Sequence, residues 1–335
     1  MKKIFFTAII LLFSLLACKT DFEINAEWKD IMIVYGLLSQ NDSIENNDYH
    51  YIKINKAFLG EDNALTMALN PDSSSYGNNL EVSVEEWKNG SQSHVWYLDT
   101  ITIYNKDPGI FYNTKQVLYR FQADLDENAE YKLFIKNKLT GKIVSSTTPL
   151  VQPFTIKKPA PSPPGAPAVF HSSNPYTVIW YSGANGKRYQ IMIRFNYWEK
   201  IWGETDSTRK SVEWDLGSYT SEGVQGGEKM TTSYTGNTFF QYLRDKIGYN
   251  TNAIRHVAVP NVEFIFSVAA DDFNTYMEVN APSTSIVQEK PEYTNINNGI
   301  GVFSSRYQIV RPLPMSPVSL DSLFNGVYTS ILNFQ

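Results

Sequence analysis

In Leu80-Glu81-Val82-Ser83-Val84-Glu85, apolar and polar residues alternate one for one. Successive side chains of a strand point to opposite faces, so this period makes one buried face and one wet face, which no helix could do. Similar short runs, rich in Val, Ile, Thr and Tyr, recur between turn residues along the first half of the chain. They place strands at Met32 to Leu38, Tyr49 to Phe58, Leu80 to Trp87, His94 to Ile103, Gln116 to Leu125, Tyr131 to Asn137 and Ile143 to Leu150. Strands at this spacing predict two packed sheets. Leu125-Asp126-Glu127-Asn128-Ala129-Glu130-Tyr131 has the form of a tyrosine corner, in which the Tyr hydroxyl bonds back to upstream backbone, with Leu125 and Leu133 facing the core. The expected fold class is mostly β: an N-terminal immunoglobulin- or fibronectin-like β-sandwich over residues 31–152, then a second β-rich domain over 169–335 with one short amphipathic helix.

Between them, residues 153–168 read as a linker, because Lys157-Lys158-Pro159-Ala160-Pro161-Ser162-Pro163-Pro164-Gly165-Ala166-Pro167 is dominated by proline. Proline cannot donate to a sheet ladder and favours an extended, semi-rigid spacer. In the second half, Tyr176 to Tyr181 and Arg188 to Tyr197 read as a strand pair joined through Asn185-Gly186, with further strands at Val212 to Leu216 and Val262 to Ala269. Asn237 to Gly248 carries Phe239, Phe240, Leu243 and Ile247 at helical spacing and ends on glycine, so it predicts the helix. Asp271 to Tyr276 reads as a turn or short helix, Gly223 to Gly227 as a loop, and Leu320 to Phe324 as a short helix.

The first residues are Met1-Lys2-Lys3, followed by an apolar run from Ile4 to Leu16 and then Ala17-Cys18. A basic start, a short apolar stretch and a small residue before the cut form a secretory signal over residues 1–17. The run is shorter than the roughly 20 residues a membrane helix requires. Leu15-Leu16-Ala17-Cys18 resembles the bacterial lipobox, which makes Cys18 the lipid attachment site and residues 18–30 a tether. Cys18 is the sole cysteine, so no disulfide framework exists, and acylation accounts for a thiol without a partner. Stable anchoring takes more than one acyl chain, at about 0.8 kcal/mol per buried CH₂. Lys19-Thr20-Asp21-Phe22-Glu23 partly resembles the signal that sends Bacteroidota lipoproteins to the cell surface, Thr20 being the departure from it.

The formal charge of −5 becomes −7 once Lys2 and Lys3 leave with the signal. An acidic chain with no basic stripe is not a nucleic-acid binder. The four histidines, His50, His94, His171 and His256, have no metal-ligand spacing, and neither a nucleophile elbow nor a phosphate loop is present. No metal or cofactor is expected. The adjacent acids Glu85-Glu86 and Asp271-Asp272 read as solvated charge. The local signal for binding is aromatic: Tyr197-Trp198-Glu199-Lys200-Ile201-Trp202, with Trp214 further on. Flat rings beside polar groups suit glycans or peptides, and Trp and Tyr dominate binding hot spots, so Trp198, Trp202 and Trp214 are the candidate ligand contacts.

The lipobox, the strand Ile33-Val34-Tyr35-Gly36-Leu37, the sandwich and Thr294-Asn295-Ile296-Asn297-Asn298-Gly299-Ile300-Gly301-Val302-Phe303 together resemble a family of Bacteroidota outer-membrane lipoproteins known only as a domain of unknown function. Members share an Asn-Ile, Asn-Gly, Gly-x-Phe pattern near the end. The resemblance implies an accessory protein beside a TonB-dependent receptor and carries no catalytic residues. The expected function is therefore a non-catalytic binding component at the outer-membrane surface. A hydrolase whose paired acids are brought together by folding, and a structural or adhesive surface protein, are the alternatives.

Overall fold

The computed structural model describes residues 30–40, 48–57, 64–104, 115–160, 167–170, 173–282 and 291–335. The signal, Cys18 and the tether up to residue 29 lie outside them, as does His171. The first half folds as the strands β1 (Met32–Ser39), β2 (Tyr49–Lys56), β3 (Leu80–Lys88), β4 (Ser91–Tyr97), β5 (Asp99–Ile103), β6 (Gln116–Gln122), β7 (Glu130–Asn137) and β8 (Ile143–Pro149), with the short helices α1 (Ala64–Ala68) and α2 (Pro71–Ser74) before β3. One expected strand, His94 to Ile103, is two. β4 pairs with β3 in one sheet and β5 with β6 in the other. Leu98 is the corner: its N–H still bonds the Val82 carbonyl at 2.9 Å before the chain crosses over.

The second half holds β9 (Thr155–Lys158), β10 (Tyr176–Tyr181), β11 (Gly186–Ile201), β12 (Thr208–Thr220), β13 (Lys229–Tyr234), α3 (Gly236–Ile247), β14 (Ala253–Ala270), α4 (Asp271–Asn280), β15 (Gly299–Leu313) and α5 (Pro317–Asn325). Thr155–Lys158, expected within the spacer, lie between Pro153 and Pro159 and keep their backbone donors, and they pair with β10. The expected hairpin through Asn185-Gly186 does not form. β10 lies in a three-stranded sheet and β11 in the large one, so the turn, with Asn185 at φ 62°, carries the chain between layers. α3 follows its pattern: Thr235 and Thr238 form a reciprocal capping box, Phe239, Phe240 and Leu243 are buried, and Gly248 closes it at φ 73°.

The sheets run in the orders β12-β11-β14-β15-β1-β2-β6-β5, β13-β10-β9 and β4-β3-β7-β8. The four-stranded sheet faces β1, β2, β5 and β6 across one core, built around Val34, Ile52, Val84, Leu133 and Ile135. The three-stranded sheet and α3 cover β11, β12, β14 and β15 across another, built around Trp180, Ile193, Phe239 and Phe264. Two sandwiches thus share one eight-stranded sheet.

The join is the parallel pair β1 and β15, in register from Met32 with Gly299 to Ser39 with Arg306. The Asn-rich segment before β15 builds it. β14 reaches only as far as Arg306, so the outer edge of Phe303 has no strand partner. The Asn295 side chain supplies one, accepting from Phe303 N–H at 3.0 Å and donating to its carbonyl at 2.7 Å. Asn297 bridges to Ser145 of β8, which covers that sheet edge. Gly301 stands at φ +114°, where an added Cβ would lie 2.0 Å from the Val34 carbonyl oxygen. Ile296 and Phe303 end in the first core, although both come from the second half of the chain.

Candidate functional site

Along β3 the inward face runs Leu80, Val82, Val84 and then Glu86, all buried. The stripe that builds the core therefore ends on a carboxylate with only 7 % exposure, which corrects the expectation of solvated charge for this acid. Its neighbours explain how it is tolerated, since a buried charge needs donors. Tyr131, directly across from it in the ladder, donates to Glu86 Oε2 at 3.1 Å, and Ser93 of β4 donates to Oε1 at 2.6 Å. Lys88 Nζ lies 3.0 Å from Glu86 and 2.8 Å from Asp126. The Tyr131 hydroxyl also bonds the Asp126 carbonyl at 3.2 Å, which forms the expected tyrosine corner, with Leu125 and Leu133 buried beside it. The corner thus does two jobs. It ties the loop after β6 to β7, and it sets Asp126 beside Lys88.

Around these groups opens a cleft of about 600 Å³, within the size range of small-ligand sites. Trp96 forms an aromatic wall, its ring centroid 4.4 Å from His94 and 5.4 Å from Phe121. Gln40, at the end of β1, and Asp124 complete the rim. Through Lys88, the carboxylates of Glu86 and Asp126 are held within about 6 Å of each other, a spacing seen in glycoside-cleaving pairs. Their protonation does not suit that chemistry. Burial acts to raise the Glu86 pKa, but hydrogen bonds from Ser93, Lys88 and Tyr131 outweigh it and hold the carboxyl below its ordinary range. Asp126 is also held low, first by Lys88 and then by the Asn128 N–H. A general acid needs the opposite shift.

The aromatic residues singled out in the sequence separate. Trp198 is 40 % exposed and Trp202 82 %. Trp198 stands between Arg209 and His256 on the neighbouring strands, and Trp202 sits beyond β11 with its backbone N–H on the Asn252 carbonyl at 2.7 Å. Trp214 packs instead against Tyr234, Phe239 and Tyr242. Between Trp198 and Trp202, Glu199 turns inward to Arg255 at 2.8 Å and to Lys210. Arg255 Nη1 in turn donates to the Leu332 carbonyl at 2.6 Å, so this charged set docks the final residues against β14. The remaining acid pair, Asp271-Asp272, starts α4, where Asp272 accepts from Tyr293 and Asn295. Among the described residues no group of three or more His, Cys, Asp or Glu is placed to hold a metal, and no helix is long and apolar enough to cross a membrane.

Strand direction relates these features. β1 runs parallel to β15, and β15 and β11 both run antiparallel to β14. Met32 and Gly299 pair at one end of the join, whereas Ser39, Arg306, Ala269 and Arg188 stand level across the sheet. Gln40 and the cleft therefore lie level with the start of β11, and Trp198 and Trp202 lie further on, at the end of that strand. The cleft was within reach of sequence reasoning: extending the period-two pattern of β3 by one step puts Glu86 inside. The approach of Asp124, Asp126 and Trp96 to it depends on the sandwich and left no local mark.

No family model matches the chain, and no curated protein matches it. Among solved structures, it is similar over part of its length to Spo0M, a sporulation control protein from Bacillus subtilis, with 12 % identity, a TM-score of 0.20, and 51 % of each chain covered. The chain thus spans about half the length of that solved protein.

Proposed function

We propose that this chain is a surface-displayed outer-membrane lipoprotein, held by acyl chains on Cys18, that binds a polar ligand as a non-catalytic accessory of a TonB-dependent importer. The observation that carries the binding part is the Glu86–Lys88–Asp126 cleft, a preformed polar site whose carboxylates are held ionised and so suit recognition better than proton donation. The membrane and importer parts rest on the lipobox and on the family resemblance. Topology supports the same reading: a tether entering at Met32 leaves the cleft at the opposite end of β1, with the exposed Trp198 and Trp202 further along in the same direction. There they are open to a ligand, a glycan or peptide, or to a receptor. Two carboxylates brought together through Lys88 give a hydrolase as second reading, and the depressed protonation of both acids weighs against it.

Two measurements test the proposal. Labelled palmitate should be incorporated into the wild-type chain and not into Cys18→Ala, which should be lost from the membrane fraction. Mild detergent extraction should then recover the lipidated chain together with an outer-membrane receptor. Recovery alone, with membrane retention intact, would sink the importer role and leave the anchor standing.

A further inference from the structure

Most of the described tryptophans rest on a ring or a cation: Trp87 under Lys132, Trp96 on His94, Trp180 on Tyr189 and Trp214 on Phe239. Trp198 and Trp202 are the exceptions. Among the described residues neither has such a contact, and both are exposed. The register supplies the surroundings of Trp198. Arg209 of β12 and His256 of β14 stand directly opposite it on either side, and residues paired across a sheet share a face. Lys200, two positions on along β11, joins them there. Arg209, His256 and Lys200 are all exposed. This face is turned away from the core, because Phe195 and Tyr197, of the opposite parity, are buried in it.

The face has a sign. Glu199, Arg255 and Lys210, also of the opposite parity, settle their charges among themselves. Further back along β11, Arg194 takes up both Glu213 and Glu263. Lys200 and Arg209 form no ion pair among the described residues. The exposed acids Glu204 and Asp206 belong to the turn past the last rung, Glu199 with Thr208. In a chain of formal charge −5, two unpaired cations and an imidazole around a bare indole reverse the local sign.

Such a face suits a ligand with an apolar side and a fixed anion. A pyranose presents C–H groups on the side of its ring, and a uronate or sulfate ester adds the anion at its rim. Arg binds a carboxylate through two parallel bonds, which selects geometry as well as charge. An extended peptide draws its affinity from a free strand edge, and β11 offers none, because β12 and β14 occupy both its sides. Position weighs against a bilayer. From Met32 to Ser39 and on from the level Arg188 to Trp198 is roughly 55 Å of strand, which sets this face far from a tether entering at Met32.

We propose that the outer face of β11 binds an acidic glycan, a uronate or a sulfated sugar. Its ring lies on Trp198 and its anion on Arg209 and Lys200, with His256 in reach and Trp202 extending the platform. This deepens the binding-protein reading and is independent of the cleft.

Titration calorimetry of the full chain in polyoxyethylene detergent micelles tests it with trigalacturonate, sulfated maltotriose, maltotriose, pentaglutamate and an oligothymidylate. At least one acidic sugar should bind at least about tenfold more tightly than maltotriose, the effect of one charge-assisted bond, and less tightly as salt rises. The two acidic sugars compared with each other identify the anion. Arg209→Gln and Trp198→Ala should each weaken binding on the order of tenfold, with unchanged melting temperatures. Lys136→Gln, exposed on β7, should leave it unchanged. If Trp198→Ala does not fold, Arg209→Gln and Lys200→Gln carry the test. Maltotriose binding as tightly as its sulfated form, or pentaglutamate or the oligothymidylate binding more tightly than either acidic sugar, would overturn the proposal. So would a preference for anionic over neutral vesicles that Arg209→Gln abolishes, with no sugar bound. Acidic sugars that bind equally well to all three variants would sink this face and leave the binding-protein reading. No binding of any sugar would sink the glycan, while receptor recovery still judges the importer role.

Discussion

At the scale of single residues, the second sandwich turns on one buried acid. Glu199 is buried together with Arg255, which is 1 % exposed, and an ion pair so enclosed strongly destabilises a protein when one partner is removed. Burial pushes the Glu199 carboxyl toward the neutral form, but Lys210 and Arg255 outweigh it and hold its pKa below 4.5. Glu86 is held below the same value by its own donors. A carboxyl with a depressed folded pKa contributes stability that is fully present above its unfolded value and is lost as pH falls through the folded one. The urea midpoint should therefore fall between pH 5 and lower pH. Glu199→Gln should cost on the order of 3 kcal/mol at pH 7 and flatten that acid-side loss, with hydrogen exchange quickened at Asn333 to Gln335. An unchanged midpoint and slope would show that Arg255 does not depend on this partner. In sequence, Glu199 sat unnoticed between two tryptophans. Its burial is still what alternation predicts, because it follows Phe195 and Tyr197 on the inward face.

At the scale of elements, legibility tracks how much of a strand's pairing is declared by its own side chains. β3, β7 and β8 alternate and were readable. β15 was not: it contains Gly299, Gly301, Ser304, Ser305, Arg306 and Pro312, a loop-like composition that becomes a strand because β1 and β14 flank it. Its small residues reflect close packing. Ser305 Oγ takes the Val151 N–H at 3.0 Å and donates to the Pro149 carbonyl at 2.8 Å, and Arg311 donates to the carbonyls of Ile156 and Pro159. The strand thereby latches the segment that leaves the first sandwich. β13 was missed for a related reason, since Lys229-Met230-Thr231-Thr232-Ser233-Tyr234 buries only Met230 and Tyr234. The prediction at this scale concerns Gly301→Ala. A Cβ 2.0 Å from Val34 O, at φ +114°, forces β15 off β1, and the loss should be at least about 2–3 kcal/mol by chemical denaturation. A loss under about 0.5 kcal/mol, the size of an ordinary surface change, would mean that the pair can shift to accept it.

For the whole molecule, the sequence signal of two units and the continuous sheet describe different things. Two cores are present, and composition marked them: prolines fall between them, and each half carries its own apolar strands. What composition could not mark is that β1 and β15 join the cores edge to edge, because a parallel partner can lie anywhere along a chain. A protease site placed within 161–166 should therefore yield two fragments that stay together in native size-exclusion chromatography and separate only in denaturant. Fragments that elute apart without denaturant would show that the join contributes little. Residues 31–160 made alone should self-associate, since β1 then presents a bare edge.

The same join bears on when the chain acquires its shape. Pairing Met32 with Gly299 closes one of the longest loops the chain allows, and such contacts form late because loop closure must precede any gain from them. Until residues near 300 emerge, β1 has only β2 beside it and the first core lacks Phe303. On the proposed reading, in which the chain crosses a membrane unfolded before Cys18 is acylated, a delay in folding is useful, and the order of the strands supplies it.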